Sequence, residues 1–367
     1  MKALLLIGGF GTRLRPLTFS KSKPCIEFIN KPILLYQIEA LKKVGVVRII
    51  LAVGNIPEDF RTTVEEWRNT YNIDIVFSVE ETPMGTAGPL ALAADLLNED
   101  LPGEKNPDVV FMFNSDILCE FPLQPLLEYH LSHGHEGTLM TTPVEDPSRF
   151  GVIVSREDGS IDAFIEKPKE YVGNHINAGL YCLNRSVVNY VPEAVKTSIE
   201  RETFPHMANL RQLYSFPLDG FWMDVGKPDD FIDGAQTMME YLDDLGHLHL
   251  PISPHALVSG LVDVSESAEV SPGAALGPNV VVGENVIIGP HARLKNCCIM
   301  AGSTIGAGAV VDHSIVGWGS TVHQWARVKN SVLGEDVRVH PELDVVGCKV
   351  MPHVEVKGDI RDEVVLY

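Results

Sequence analysis

The feature that most constrains this chain lies in its last third. Val258, Val264, Val270, Leu276, Val282, Ile288 and Leu294 stand at intervals of six residues. The spacing slips by one and resumes at Ile299, Ile305 and Val311, and again at Val316, Val322 and Val328. The helical period of roughly 3.6 residues puts positions six apart on different faces, and simple strand alternation repeats every second residue rather than every sixth. A coil of short parallel strands fits the spacing, because each such residue points into a shared axial core and each coil stacks on the last. Glycine follows several of these positions, at Gly277, Gly283, Gly289, Gly306 and Gly317. Residues 255–367 are therefore expected to form a parallel β-helix, with Gly246–Pro254, containing Pro251 and Pro254, as the linker before it.

Residues 1–245 follow another rule. Lys2–Ile7, Arg48–Val53, Asp74–Val79, Val109–Phe113 and Gly137–Thr142 read as strands. Ile33–Val44, Pro57–Tyr71, Gly88–Leu97 and Pro122–His133 read as helices between them. This alternation predicts an α/β domain with a doubly wound, mostly parallel sheet. Ligands in such sheets sit beyond the carboxyl ends of strands, where the strand order switches. The segments after Ile7 and after Phe113 are the first places to look.

Charge narrows the partners. Lys and Arg number 29 against 49 Asp and Glu, a net charge of −20. Such a surface repels nucleic-acid backbones and anionic membranes, so neither is an expected partner. A phosphate-bearing ligand needs a local cationic patch or a metal ion. The apolar stretch Ala3–Ile7 is too short for a signal-peptide core, and no apolar run approaches the roughly 20 residues of a membrane span. The six cysteines, including the vicinal Cys297 and Cys298, show no framework spacing. This pattern predicts a reduced, cytoplasmic protein.

Gly8-Gly9-Phe10-Gly11-Thr12-Arg13-Leu14-Arg15-Pro16 follows the first strand directly. Its glycines serve a tight turn or let backbone N–H groups approach a phosphate. It is neither a dinucleotide fingerprint, since Leu14 stands at the third glycine, nor a Walker loop. Arg13, Arg15, Lys21 and Lys23 make an anion site the stronger reading. Asn114-Ser115-Asp116 is either ordinary turn chemistry or a carboxylate placed to hold Mg²⁺ against a phosphate. Asp224, within Phe221-Trp222-Met223-Asp224-Val225-Gly226, reads structurally as a cap or an ion-pair member. Glu166 and Lys167 are adjacent at a strand end, where alternation turns neighbours to opposite faces and disfavours a simple ion pair. His130, His133 and His135 lie at a helix end without nearby cysteine and read as solvated rather than zinc-binding.

Together these segments resemble the sugar-1-phosphate nucleotidyltransferase family, and within it the GDP-mannose pyrophosphorylases. The resemblance rests on the glycine loop through Thr18, Lys23-Pro24, Pro83-Met84-Gly85-Thr86-Ala87-Gly88, Asn114-Ser115-Asp116, Phe164-Ile165-Glu166-Lys167-Pro168, Asn177-Ala178-Gly179 and Trp222-Met223-Asp224-Val225-Gly226. It covers nearly the whole chain and implies that the β-helix is left-handed. It implies transfer of a guanylyl group from GTP to mannose 1-phosphate. By position, Leu6, Gly8, Gly9, Gly11 and Thr12 are implied to wall the nucleotide, Gly85 and Thr86 to form the base-recognition turn, and Arg13 and Lys23 to hold the pyrophosphate portion. Asp116 and Asp224 are the implied Mg²⁺ ligands. Glu166, Asn177 and the backbone near Gly151 fall to the sugar, Lys167 to its phosphate, and Asn114 is implied as a further substrate-binding residue. Cys25 and Lys227 depart from the pattern, the latter adding a cation beside the proposed metal site. A homo-oligomer built through the β-helix is expected.

Three other readings stay open on sequence. The motifs are shared with enzymes for other bases and sugars. A non-catalytic regulatory subunit uses the same scaffold but tends to lose the arginine, lysine or aspartates that this chain keeps. An acyltransferase in the hexapeptide domain would need a histidine in a coil loop; His291, His313, His323 and His340 are available, but no long loop is.

Overall fold

The computed structural model describes residues 1–9, 11–192, 196–249 and 255–365. Phe10 of the glycine loop and Pro251 and Pro254 of the expected linker lie outside them. The chain divides into two compact units, each drawn from separate stretches of sequence. One comprises residues 1–9 with 34–222, the other residues 11–33 with those from 223 onward.

In chain order the elements before the β-helix are β1 (Lys2–Ile7), β2 (Glu27–Phe28), β3 (Lys31–Pro32), α1 (Ile33–Lys43), β4 (Arg48–Val53), α2 (Glu58–Tyr71), β5 (Asp74–Val79), α3 (Gly88–Leu92) and α4 (Ala94–Asn98). Then come β6 (Val109–Asn114), β7 (Ile117–Cys119), α5 (Leu123–His133), β8 (Gly137–Pro143), β9 (Gly151–Ser155), β10 (Ile161–Glu166) and β11 (His175–Asn184). The series closes with α6 (Phe204–Asn209), β12 (Leu213–Pro217), β13 (Trp222–Asp224) and α7 (Pro228–Asp244). The single helix expected over Gly88–Leu97 is two, broken at Ala93, whose ψ of 2° leaves the helical region.

The first unit is built on a nine-stranded sheet. β5, β4, β1 and β6 run parallel in that order. The apolar runs of β4, β1 and β6 are largely buried, as expected of a parallel sheet with both faces covered, whereas β5 at the edge is only partly buried. The chain leaves β1 toward β4 and β5, then returns to β6 on the other side of β1. This reversal is the doubly wound switch point, so the carboxyl ends of β1 and β6 open a crevice between them. Beyond β6 the sheet becomes mixed. β11 pairs antiparallel with β6, β8 and β9, β10 pairs antiparallel with β9, and β12 adds parallel to β8. Parallel pairing thus covers only part of the sheet. The β11–β8 register shifts between Asn177 and Tyr181, a bulge that re-aims the side chains there.

The second unit contains the left-handed parallel β-helix. Leu294 pairs with Val311, Val311 with Val328 and Val328 with Val345, a coil of seventeen residues repeated. The one-residue slips in the sequence are thus one shortened side per coil. Their apolar positions form one buried axial cluster, which continues past Val328 through Leu333, Val339, Val345, Val350 and Val356. Val258 does not join it. It is 43% exposed, because its strand is stacked from one side only. Gly306 shows why glycine marks the coils. A Cβ there would lie 2.5 Å from the backbone N of Gln324 on the next coil. All six cysteines are free thiols, five of them buried. Among the described residues no helix is long and apolar enough to cross a membrane.

Candidate active site

In the first unit, Leu6 is paired on one side with Ala52 and on the other with Asn114, at the switch point. Its carbonyl accepts the Ser115 N–H at 3.3 Å. Gly8 and Gly9 follow, with open space where a Cβ would stand on either, and Gly9 adopts φ +84°. Asp116 sits in the turn between β6 and β7. Gln37, fully buried on α1, donates from Nε2 to the carbonyls of Asn114 at 2.9 Å and Ile117 at 3.0 Å. One side chain thereby fixes both ends of the Asp116 turn.

Gly85 and Thr86 are held from below. Gly85 has φ +79°, and a Cβ would lie 2.3 Å from the Thr197 carbonyl. Thr86 Oγ1 donates to Glu200 at 2.5 Å and accepts the Ile199 N–H at 2.9 Å. Asn177 bonds the Tyr181 hydroxyl at 2.8 Å, while its Oδ1 accepts the Gly179 N–H at 3.1 Å. Gly179 lies at the β11 bulge with φ +76°, where a Cβ would meet Asn114 Nδ2 at 2.8 Å. Gly151 faces the Glu166 carboxylate, 2.9 Å from the position of an added Cβ. Tyr181 is fully buried among these groups. Burial first, then the charges of Glu200, Glu166 and Asp116, push its phenol far above the ordinary range and keep it protonated.

Glu166 and Lys167 correct the expectation from strand alternation. Their charged groups pair at 3.5 Å. Lys167 has φ +50° and lies just past β10, so the backbone turns there and alternation no longer separates the two side chains. Lys167 is 58% exposed and Glu166 only 19%.

The second unit carries the other group. Gly11, at φ +57°, leads into a 3₁₀ turn over Thr12–Leu14 that bears Arg13, and its carbonyl accepts Thr18 Oγ1 at 2.9 Å. Lys23 opens a second 3₁₀ turn, Lys23–Cys25. Arg13 Nη2 and Asp224 Oδ1 both lie 3.1 Å from where a Cβ on Gly226 would stand. That space is available because residue 226 has no side chain. Asp224 Oδ1 is shielded from solvent. Lys227 is the residue from which α7 starts, its carbonyl accepting the Phe231 N–H at 2.9 Å.

Residues 2–240 match the nucleotidyl transferase family, and residues 258–366 match the GMPPB C-terminal domain. A mannose-1-phosphate guanylyltransferase of Arabidopsis thaliana is 46% identical over 100% of both chains. Its counterparts in Hypocrea jecorina and Candida albicans are 48% and 46% identical, covering 98% and 100% of each chain. The chain belongs to the mannose-1-phosphate guanylyltransferase family. A Bacillus anthracis crystal structure described as a glucose-1-phosphate thymidylyltransferase shares the fold alone, with a TM-score of 0.55 at 20% identity over 68% of this chain and 97% of that one.

Around the guanylyltransferase motifs, sequence reasoning missed Gln37, Tyr181, Thr197 and Glu200. Gln37 reads as one more face residue of α1, and Glu200 lies in a segment without a motif. A fully buried glutamine is the kind of anomaly that marks a positioning group, but its burial is invisible until the helix is docked. The histidines are also corrected. His130 is 2% exposed and its ring nitrogens meet Thr138 at 2.9 Å and Asn184 at 3.2 Å. His133 stacks on Tyr214 with ring centroids 4.3 Å apart. The helix end faces β8 and β12 rather than water, so burial lowers the pKa of both rings, that of His133 to about 4.

Proposed function

We propose that this enzyme joins mannose 1-phosphate to the guanylyl group of GTP, forming GDP-mannose and pyrophosphate. The observation that carries the reading is the full-length likeness to guanylyltransferases combined with an intact set of cations and carboxylates. In this reading Leu6, Gly8, Gly9, Gly11 and Thr12 wall the nucleotide, and Gly85 and Thr86 form the base-recognition turn. Arg13 and Lys23 hold the pyrophosphate portion. Gly151, Glu166 and Asn177 take the sugar and Lys167 its phosphate, with Asn114 a further substrate-binding residue. Residues 1–245 are the catalytic domain and 255–367 the β-helix domain.

The phosphate oxygen of the sugar is already an anion, so it attacks the α-phosphorus of GTP without a general base. The bond to the β-phosphate breaks in line, and pyrophosphate departs carrying the electron pair. The barrier is chiefly repulsion between anions and misalignment, and positioned cations lower both. A divalent cation suits the carboxylates of Asp116 and Asp224, which offer only hard oxygen donors; Mg²⁺ takes one or two carboxylates and completes its shell with phosphates and water. When bound, it would neutralise phosphate charge. Self-association through the β-helix is supported by exposed Leu257 and Val258 on its terminal strand, and light scattering that finds only monomer would reject it.

The test is pyrophosphate release by the pure protein with Mg²⁺, across a grid of nucleoside triphosphates and sugar 1-phosphates. GTP with mannose 1-phosphate should give the highest kcat/KM. A different pair leading by about tenfold, or more than 1.4 kcal/mol, would replace the assignment.

A further inference from the structure

The second unit places residues 11–33, which carry Arg13 and Lys23, with the β-helix. Among the described residues, two sets of polar contacts tie this arm to the β-helix. Asn30 Nδ2 donates to Asp263 Oδ2 at 2.7 Å and to the Val282 carbonyl at 3.1 Å. The other set is a closed cluster of three side chains. Trp318 Nε1 donates to Glu27 Oε2 at 2.8 Å. Lys21 Nζ donates to Glu27 Oε1 at 2.5 Å and stands 4.5 Å from the centroid of the Trp318 ring. Each member meets the other two. Trp318 is 6% exposed, set at a coil corner between Gly317 and Gly319, so the rigid helix fixes its ring.

Lys23 lies between the two arm residues that Trp318 grips. Its 3₁₀ turn begins two residues after Lys21 and ends two residues before Glu27. The Lys23 carbonyl accepts the Ile26 N–H at 3.2 Å, and the Ser22 carbonyl accepts that of Cys25 at 2.8 Å. The turn is internally bonded, so fixing its flanks fixes its course. Apolar burial seats the arm, with Pro24 buried inside the turn and Ile26 and Phe28 fully buried beside it. Apolar contacts do not orient a cation, whereas an indole offers both a hydrogen-bond donor and a cation-binding face.

We infer that Trp318 is a positioning residue for the triphosphate side of the reaction: through Lys21 and Glu27 it sets the turn that presents Lys23. The β-helix then contributes to substrate binding as well as to architecture. The inference rests on the reading of Lys23 as a phosphate contact.

The experiment uses the full chain and measures KM for GTP and for mannose 1-phosphate separately, together with Tm. Trp318→Leu removes both the donor and the ring face. It should raise KM for GTP about tenfold, the range expected for losing a charge-assisted contact, while KM for mannose 1-phosphate holds. Trp318→Phe keeps the face that Lys21 covers and should recover part of the loss. Trp325→Leu, at an exposed corner, should leave both constants unchanged. Should Trp318→Leu fail to fold, Lys21→Met breaks the same cluster from its partly exposed side and carries the same expectation. Lys23→Ala is run in parallel. A raised GTP KM in Lys23→Ala with a normal one in the Trp318 and Lys21 variants overturns the positioning role and leaves the phosphate reading standing. A normal GTP KM in Lys23→Ala overturns both. A lowered Tm with both KM values held marks a structural clamp and overturns the inference.

Discussion

The β-helix and the nine-stranded sheet bury similar residues by opposite means. In the β-helix each coil repeats the one before it, so Ile305 meets Val322 and Val322 meets Val339 at the same separation. Its core contacts are with neighbours in the stack, and each apolar position repeats the role of the one before it. In the sheet no position repeats another. Leu6, Asn114, Gly151 and Asn177 come from four different strands. The β-helix spends its sequence on uniform packing, whereas the sheet leaves its strand ends free for chemistry. The lesson is that side chains in the coil core should matter for stability alone, and those at the strand ends for turnover alone.

The carboxylates give the largest test of that contrast. Asp116→Asn and Asp224→Asn each preserve shape while removing charge. Either change should lower turnover by roughly 1000-fold or more, with the double variant adding little, since groups that act as a unit are non-additive. Tm should move by less than about 2 °C. Pyrophosphate release and calorimetry on the same samples decide it. Lost stability with activity tracking the folded fraction would mean that these aspartates behave like coil residues.

Lys167→Ala is the next largest. Its ammonium is a compact charge for a phosphate, and losing it should cost roughly 30–1000-fold in kcat/KM for mannose 1-phosphate, with GTP binding nearly normal. Its ion pair with Glu166 is more than half exposed on the lysine side, so little stability is at stake. An unchanged rate would remove Lys167 from the site.

Ile305→Ala probes the opposite side of the comparison. The residue is 0% exposed in the axial cluster, so the cavity should cost about 2–5 kcal/mol while KM for both substrates holds in the folded fraction. Val258→Ala, on the terminal strand, should stay within about 0.5 kcal/mol. Urea unfolding that found equal losses would break the idea of a core that begins inside the first rung.

The smallest effect is the pH response of the sheet's edge. The folded chain keeps His133 neutral down to about pH 4, while the unfolded chain protonates it near 6.5. The unfolded state therefore binds more protons between these values. Stability should be full above about pH 6.5 and should fall as pH drops toward 4. Screening at this half-buried site limits the effect to about 1 kcal/mol, or roughly 2–4 °C in Tm. His133→Gln should flatten the curve over that window.

Much of this was legible in the chain. The six-residue spacing needs only local sequence, and the slip to five that the structure shows as a shortened side is visible at Leu294–Ile299 before any folding. The strand end at Ile7, and the one read at Phe113 that the structure places one residue later at Asn114, were equally visible, because parallel strands buried on both faces read as unbroken apolar runs. Leu6, Gly8, Gly9, Asn114 and Asp116 lie where those strands end, and Gly11, Thr12, Arg13 and Lys23 on the arm that follows β1, while the remaining motif residues come from later elements. Other features had no local signal. That β11 turns the sheet antiparallel beside β6, that residues 11–33 group with the β-helix, and that Gln37, Tyr181 and Glu200 hold the turns beneath the candidate site are all decided by tertiary contact. The physical reason is one of range. Periodicity and turn chemistry act between residues a few positions apart, so the sequence determines coils, strands and their ends. A hydrogen bond such as the buried one from Gln37 to Ile117, or the partly buried one from Trp318 to Glu27, joins residues 80 or 291 positions apart, and its worth exists only after the surrounding structure has excluded water.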